Sequence, residues 1–320
     1  MKKEKEESVT IVMYHYVRPI KNSKFPRIKG LEFELFKFQL DYLQKNFNMI
    51  AASDLIDYFD LGKKLPKNSC LLTFDDGYKD HILFVLPELL KRKIKAIFFP
   101  VAEAVLNRKL LDVNAIHFIL EAFEDHSLLL KKILKSCLDN SIELKILNDW
   151  KQNQMLSNNK YDKPETSLIK KMLQYLLPAE IRKNIISQLF EEHVSKESND
   201  FANSLYLSAD DIRTMLSFGM QIGSHGFAHI RLGQHSCAEQ KKEIEKSLNF
   251  LESFGIAKKN WVMSYPYGNY NNDTLSILDD LNCSMAFVDY GGKVVLNKKK
   301  RFELTRHDTN DFLNKSNILK

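Results

Sequence analysis

The chain has 320 residues, of which 44% are hydrophobic and 28% charged, as is ordinary for a globular protein. The net charge of +6 comes from dispersed basic residues, and no basic stripe is interleaved with aromatic residues, which argues against a nucleic-acid partner. The scattered cysteines include no Cys-x-x-Cys pair, which argues against a thiolate zinc site and a disulfide framework: Cys70, Cys137, Cys237 and Cys283.

The sequence contains no window of ~18 uncharged apolar residues, the length that a transmembrane helix needs. The charged segment Met1–Ser8 is not followed by the apolar region of a signal peptide. We therefore expect a cytoplasmic protein without a transmembrane segment. The net positive charge is compatible with peripheral contact with the inner membrane face.

Strand-like runs alternate with amphipathic helix-like stretches along most of the chain. The predicted strands are Val9–Tyr14, Cys70–Phe74, Lys95–Val101, Met220–Ser224, Trp261–Tyr265, Met285–Val288 and Phe302–Thr305. The predicted helices are about Glu32–Asn46, Ser53–Phe59, Asp80–Arg92, Ser208–Ser217, Ala238–Phe254 and Asp273–Leu281. This alternation predicts an α/β protein with a mainly parallel sheet, open or closed into a barrel.

The alternation lapses between about Leu106 and Asn203, where the apolar spacing is helical. We therefore predict a barrel formed by residues 1–105 and 204–320, with residues 106–203 as a helical insertion on the loop after the third strand. Insertions on strand-end loops often cover a site or bind a partner, so this one is a candidate cap over the active site. The alternative is that the insertion stabilises the fold and does not contact the active site.

Two adjacent carboxylates, Asp75 and Asp76, follow the apolar run Cys70–Leu72 in the motif Thr-Phe-Asp-Asp-Gly. At a strand end they point in different directions, so one can bind a metal while the other accepts a proton. Gly77 allows a sharp turn and leaves room for a ligand. The alternative is an ordinary Asp-Asp-Gly turn.

A second motif, Ser-His-Gly-Phe-Ala-His, places His225 and His229 after the apolar run Met220–Ile222. Two histidines four residues apart can converge on one metal ion. Zinc peptidases have Glu after the first histidine, whereas Gly226 stands there in this chain, which disfavours a peptidase. Two histidines and one Asp would form a three-ligand site with open positions, the pattern of catalytic metal sites that hydrolyse amides or esters.

A third motif, Tyr265-Pro-Tyr267-Gly, follows the predicted strand that starts at Trp261. A Pro-x-Gly turn at a strand end can present a backbone N–H to an anionic tetrahedral intermediate. Its aromatic rings, including that of Tyr265, could stack on a sugar. Taken alone, the motif is simply a turn.

In this order on successive strand ends, the three motifs resemble those of the polysaccharide deacetylase family (NodB homology, carbohydrate esterase 4), in its subgroup with a Tyr-Pro-Tyr-Gly turn. The resemblance covers about Val9–Gly30, Leu71–Val101 and Leu207–Asp308. It implies a distorted (β/α) barrel of about seven strands and one divalent metal ion, usually Zn²⁺. It also implies roles for five residues: Asp75 as general base, Asp76, His225 and His229 as metal ligands, and Tyr267 as donor of the oxyanion-stabilising amide.

The chain departs from the family pattern at two places. Ser264 stands near the position where many members carry an Arg that tethers the base. The late motif that ends in a catalytic histidine is matched only by Thr-Arg306-His307-Asp308, so His307 is the candidate general acid. Arg306 and Asp308 are candidates for orienting Asp75 or binding substrate.

His15, in the Tyr-His pair at the end of the first strand, is predicted to line the pocket, although a buried structural role is the alternative.

The resulting prediction is a metal-dependent hydrolase of carbon–nitrogen bonds other than peptide bonds. Its expected substrate is an N-acylated sugar, nucleotide- or lipid-linked, in surface polysaccharide biosynthesis. A carbohydrate-binding protein on a catalytically lapsed deacetylase fold is the main alternative, and an amidase acting on a non-sugar amide is the third. The intact set Asp75, Asp76, His225 and His229 favours the enzyme.

Overall fold

The computed structural model describes residues 7–143, 148–149, 162–292 and 294–309. The chain forms two compact units. The first contains Met1–Pro19, Gly30–Lys109 and Asn203–Lys320, and the second contains Ile20–Lys29 and Leu110–Ala202. The segment Ile20–Lys29 thus belongs to the second unit, whereas the sequence interpretation assigned it to the barrel.

The strands of the described residues are β1 (Ser8–Tyr14), β2 (Val17–Arg18), β3 (Leu31–Glu32), β4 (Asn48–Met49), β5 (Ser69–Asp76), β6 (Ile97–Pro100), β7 (Gln221–Ile222), β8 (Trp261–Ser264), β9 (Cys283–Phe287), β10 (Val294–Val295) and β11 (His307–Asp308). The α-helices are α1 (Phe33–Asn46), α2 (Ala52–Leu61), α3 (Leu86–Lys91), α4 (Ala102–Asn107), α5 (Asp112–Ala122), α6 (His126–Asp139), α7 (Pro164–Lys171), α8 (Ala179–His193), α9 (Ser198–Leu205), α10 (Ala209–Ser217), α11 (Cys237–Glu252) and α12 (Asn272–Asp280). A π-helical turn, His81–Val85, precedes α3, and another, Met172–Leu176, follows α7.

The central element of the first unit is a seven-stranded sheet with the order β10-β1-β5-β6-β7, in which β11 also pairs with β1 and β4 with β5. The pairs β1–β5, β5–β6 and β6–β7 are all parallel. The predicted α/β class is therefore confirmed. Parallel pairing brings the carboxyl ends of β1, β5, β6 and β7 to one edge of the sheet.

The parallel pair β8–β9 extends the strand pairing beyond this sheet. A parallel bridge joins Ser224, after β7, to Met263 of β8, and another joins Phe287 of β9 to Leu304. The pairings thus lead from β1 through β5, β6, β7, β8 and β9 to segment 304–308 and back to β1. This is the order that the predicted distorted barrel requires.

The last predicted strand, Phe302–Thr305, is wrong in position. Phe302 lies in a turn that follows the 3₁₀ segment Lys298–Lys300, and in Phe302–Thr305 only Leu304 forms a strand bridge. The strand that pairs with β1 is His307–Asp308.

Alternating side chains of β5 supply two hydrophobic clusters. Leu71 belongs to the cluster that contains Phe99 and Phe287, whereas Leu72 and Phe74 belong to the cluster that packs against the helices. Because side chains alternate along a strand, Asp75 lies on the same face as Leu71. The Asp75 carboxylate therefore lies at the carboxyl end of β5, on the face that packs with Phe99 and Phe287.

In its described residues the second unit is mainly helical. Its core includes buried residues of α5, α6 and α8, among them Phe118, Ile133 and Phe190. Rings of Phe25 and Phe201 contact Phe118 edge to face, with centroids 4.8 and 4.7 Å away. In the part of the chain that the structure describes, no helix is both long and apolar enough to cross a membrane.

Candidate active site

The Asp-Asp-Gly turn separates the two carboxylates at the end of β5. Asp76 and Gly77 both adopt left-handed backbone conformations, with φ of 67° and 68°. A Cβ atom on Gly77 would lie 2.7 Å from Pro100, so only glycine fits there without displacing β6. The turn leaves Asp75 and Asp76 directed at different partners, both within the buried interior.

Asp76 converges with His225 and His229 in a buried cluster. Its Oδ1 atom lies 3.3 Å from Nε2 of His225 and 3.4 Å from Nε2 of His229. One ligand atom from each residue lies within 4.8 Å of the others. Two imidazoles and one carboxylate are a donor set that suits zinc with open coordination positions. The three side chains therefore fit a divalent ion.

Neighbouring groups orient this cluster. The backbone carbonyl of Ser264 accepts a hydrogen bond from Nδ1 of His225 (2.8 Å), which leaves Nε2 available as a ligand. Tyr78 donates its hydroxyl hydrogen to Oδ2 of Asp76, so Oδ1 faces the histidines. Tyr78 follows the Asp-Asp-Gly motif directly, but its role was missed because no spacing rule marks it.

Burial and charge set the protonation of the cluster. Burial alone would raise the pKa of Asp76, but hydrogen bonds from both histidines lower it well below its usual value. Burial lowers the pKa of His229 overall, whereas the charges of Asp75 and Asp76 outweigh burial at His225 and raise its pKa. An ionised carboxylate and a neutral imidazole are the forms that bind metal.

Asp75 forms a buried two-pronged ion pair with Arg306. Nη1 donates to Oδ1 (2.9 Å) and Nη2 to Oδ2 (2.7 Å), while the Ser264 hydroxyl also donates to Oδ2 (3.1 Å). Burial would raise the pKa of Asp75, but the charges of Arg306 and His225 lower it to about 2. Asp75 is therefore an ionised and firmly held carboxylate at neutral pH.

Two side chains predicted to bind substrate are engaged elsewhere. The remaining N–H groups of Arg306 donate to Val288, Thr73 and Ser264, and its side chain is fully buried, so it orients Asp75 and cannot reach a sugar. Tyr265 is also fully buried, and its hydroxyl donates to the carbonyl of Phe302. Its ring is therefore part of the core, and the expectation that it stacks on a sugar is corrected.

Replacing Arg306 by Met should lower the free energy of unfolding at pH 7 by about 3–5 kcal/mol, because Asp75 would be left buried without its counter-charge. The difference from wild type should shrink as the pH falls from about 4 towards about 2, since the native pKa of Asp75 is lowered from 3.8 to about 2. Urea denaturation across this pH range measures both effects.

Arg213→Met is the matched control, because Arg213 pairs with Asp210 at the surface, with side chains 61% and 91% exposed. Its loss should stay below about 1 kcal/mol. An Arg306→Met loss as small as that of the control would contradict the ion-pair argument.

Tyr267 stands in the turn that follows β8 and has a left-handed backbone (φ 59°). The centroid of the Tyr267 ring lies 4.6 Å from that of the His229 ring. The guanidinium carbon of Arg231 lies 4.1 Å from the same Tyr267 centroid. The turn thus lies beside the Asp-His-His cluster. The role of its backbone N–H stays a prediction.

His307 and Asp308 pair with Val12 and Met13 of β1. Paired residues share a face, and Val12 belongs to the cluster on the helix side, opposite to Asp75. This placement argues against His307 as the group that protonates the leaving amine, because its side chain leaves the strand on the wrong face. Asp308 lies on the same face as Asp75, and its contact with substrate stays a prediction.

His15 ends up beside both carboxylates. It follows β1 directly, where Tyr14 pairs with Phe74, so it lies level with Asp75. Its charge contributes to lowering the pKa of Asp75 and of Asp76. Nε2 of the buried His81 donates to the His15 carbonyl (3.0 Å), which fixes this end of β1. His15, which was predicted only to line the pocket, is therefore better placed than His307 to donate a proton beside Asp75.

An α/β sheet whose strand ends bring together an Asp-His-His cluster and a second, separately held carboxylate defines a candidate hydrolase. The family model described as polysaccharide deacetylase matches residues 165–286, which include His225, His229 and Tyr267. The predicted resemblance to the polysaccharide deacetylase family is therefore confirmed over this segment. The matched segment begins after Asp75 and Asp76. No curated protein sequence matches the chain.

Solved structures share the fold over nearly the whole chain. IcaB from Ammonifex degensii has a TM-score of 0.57 and 18% identity, covering 96% of this chain and 97% of its own. The deacetylase PplD of Streptococcus pyogenes, solved with acetate, has a TM-score of 0.56 and 15% identity, with 95% and 93% covered. A de-N-acetylase from Aggregatibacter actinomycetemcomitans has a TM-score of 0.53 and 14% identity, with 94% of each chain covered. At these identities the likeness establishes the fold.

Proposed function

We propose that the protein is a metal-dependent hydrolase that removes the N-acetyl group from a sugar. The observation that carries this proposal is the convergence of Asp76, His225 and His229 next to an independently held Asp75. Asp76 Oδ1 and Nε2 of each histidine would hold a divalent ion, and the donor set favours zinc. When bound, such an ion polarises a carbonyl and acidifies water.

The chain's own residues divide the proton transfers. Asp75, ionised and fixed by Arg306, accepts a proton from the water whose oxygen attacks the acetyl carbon. The Tyr267 N–H donates to the oxygen that gains negative charge. His15 donates a proton to the sugar nitrogen as the C–N bond breaks, which yields acetate and a free amine. Arg306 makes Asp75 a weaker base. Asp75 therefore contributes by being ionised at neutral pH and by being held in a fixed position.

The experiment is acetate release from N-acetylated sugars offered as free oligosaccharides, nucleotide sugars and lipid-linked sugars. The protein is assayed after chelation and again after addition of Zn²⁺. We expect that acetate release requires the added metal ion and that one of the three substrate forms is preferred. O-acetylated sugars and N-acetylated peptides serve as controls for the bond and the substrate class. Stoichiometric metal with sugar binding but no acetate release would instead favour a lapsed, carbohydrate-binding protein.

The acid assignment predicts that His15→Ala lowers kcat by ~10²–10⁴-fold while bound metal is retained, because the leaving amine loses its proton donor. His307→Ala should keep nearly full activity. Steady-state kinetics together with metal analysis measure both. A reversed pattern, with His307→Ala inactive and His15→Ala active, would restore His307 as the acid.

A further inference from the structure

Glu243 lies on α11, outside the three motifs, and its carboxylate is directed into the loop between the two histidines. Its Oε1 atom accepts hydrogen bonds from the backbone N–H groups of Phe227 (2.8 Å) and Ala228 (2.6 Å). These are two of the three residues that separate His225 from His229. Glu243 is 7% exposed, so water competes little for these hydrogen bonds.

The loop adopts a backbone that needs external support. Gly226 and His229 both have left-handed conformations, with φ of 73° and 56°. For His229 this conformation costs energy and persists only where the surroundings enforce it. Consecutive N–H groups that converge on one carboxylate form an anion-binding concavity, which holds such a backbone in place. A Cβ atom on Gly226 would lie 3.1 Å from Oε1 of Glu243, so the carboxylate closely approaches the loop.

The same helix holds the residue before the loop. The hydroxyl of Ser247, one turn after Glu243 on α11, lies 2.6 Å from the hydroxyl of Ser224, and both side chains are buried. Ser224 in turn accepts a hydrogen bond from the Gly226 N–H (3.2 Å). One helix face therefore fixes the start and the middle of the histidine loop.

We propose that Glu243 is a positioning residue for the histidine pair: its carboxylate holds the loop so that both Nε2 atoms face Asp76. The proposal rests on the proposed function insofar as the pair binds a metal ion. Loss of a group that orients metal ligands typically weakens metal affinity by 10–100-fold. Glu243 itself lies behind the loop and acts through it.

The test compares Glu243→Met, which removes the acceptor at similar size, with Glu243→Gln, which keeps an acceptor oxygen. Two readouts are measured: Zn²⁺ affinity by competition with a chelating dye, and amide hydrogen exchange of residues 226–229 in the metal-free protein. Glu243→Met should weaken Zn²⁺ binding by ~10–100-fold and accelerate exchange at Phe227 and Ala228. Glu243→Gln should retain most of the affinity.

Gln240→Met is the matched control, since Gln240 is buried on the same helix but bonds to His235, Asn271 and Thr274. It should lower stability without a selective change in Zn²⁺ affinity or in exchange of the loop. Equal effects of Glu243→Met and Gln240→Met, or unchanged affinity and exchange in Glu243→Met, would overturn the proposal. If the wild type bound no metal and released no acetate, the proposed function would fail, and the exchange readout would still decide the role of Glu243.

Discussion

His225→Ala and His229→Ala should each lose bound metal and all measurable deacetylation. In each variant the cluster keeps only one imidazole and the Asp76 carboxylate, and two ligands do not hold a catalytic ion with useful affinity. The two Nε2 atoms lie 3.3 and 3.4 Å from the same carboxylate oxygen, so neither histidine can substitute for the other. Metal content by elemental analysis and acetate release measure the two losses.

His235→Ala provides the control. His235 lies in the same stretch of chain but is 38% exposed and contacts Glu239, not Asp76. This variant should keep full metal and full activity. Retention of stoichiometric metal and turnover in His225→Ala or His229→Ala would mean that the ion, if any, binds elsewhere.

The two aspartates should fail in different ways. Asp75→Asn should retain metal and lower kcat by ~10²–10⁴-fold, because the amide cannot accept the proton from water. Asp76→Asn should bind metal weakly, because the carboxylate that faces both histidines becomes a neutral ligand. The two substitutions are matched in size and chemistry and lie at adjacent positions, so each serves as the control for the other.

Single-turnover kinetics at saturating Zn²⁺ separate the two effects. Added metal should restore part of the activity of Asp76→Asn and none of that of Asp75→Asn. Equal loss of metal in both variants would show that the aspartates share one task, contrary to the separate contacts that they make with Arg306 and with the histidines.

The sequence alone predicted that the motifs lie together at the strand ends. Each motif follows an apolar run, and parallel strands bring their carboxyl ends to one edge of the sheet. The positions of Asp75, Asp76, His225 and His229 follow from that rule. The direction of a side chain within a turn does not. Tyr265 and Tyr267 are two residues apart, yet one is buried in the core and the other contacts His229.

Register and long-range partners account for the remaining differences. The strand that carries His307 begins two residues after the predicted strand ends, and the pairing with Val12 decides which face each side chain takes. Glu243 follows the ordinary apolar period of α11, so nothing local distinguishes it from a buried helix residue. Its proposed role depends on hydrogen bonds from Phe227 and Ala228, which precede it in the chain by sixteen and fifteen residues.

The Asp75–Arg306 pair has a consequence for the order in which the protein matures. The two residues are 231 positions apart, so Asp75 leaves the ribosome long before its partner exists. Until Arg306 is synthesised and reaches it, an unpaired carboxylate in this interior opposes burial. A nascent chain that lacks Arg306 therefore leaves Asp75 without its charged partner. The proposed hydrolytic activity should therefore arise only after β11, which directly follows Arg306, has paired with β1. By then, synthesis of the described part of the chain is nearly complete.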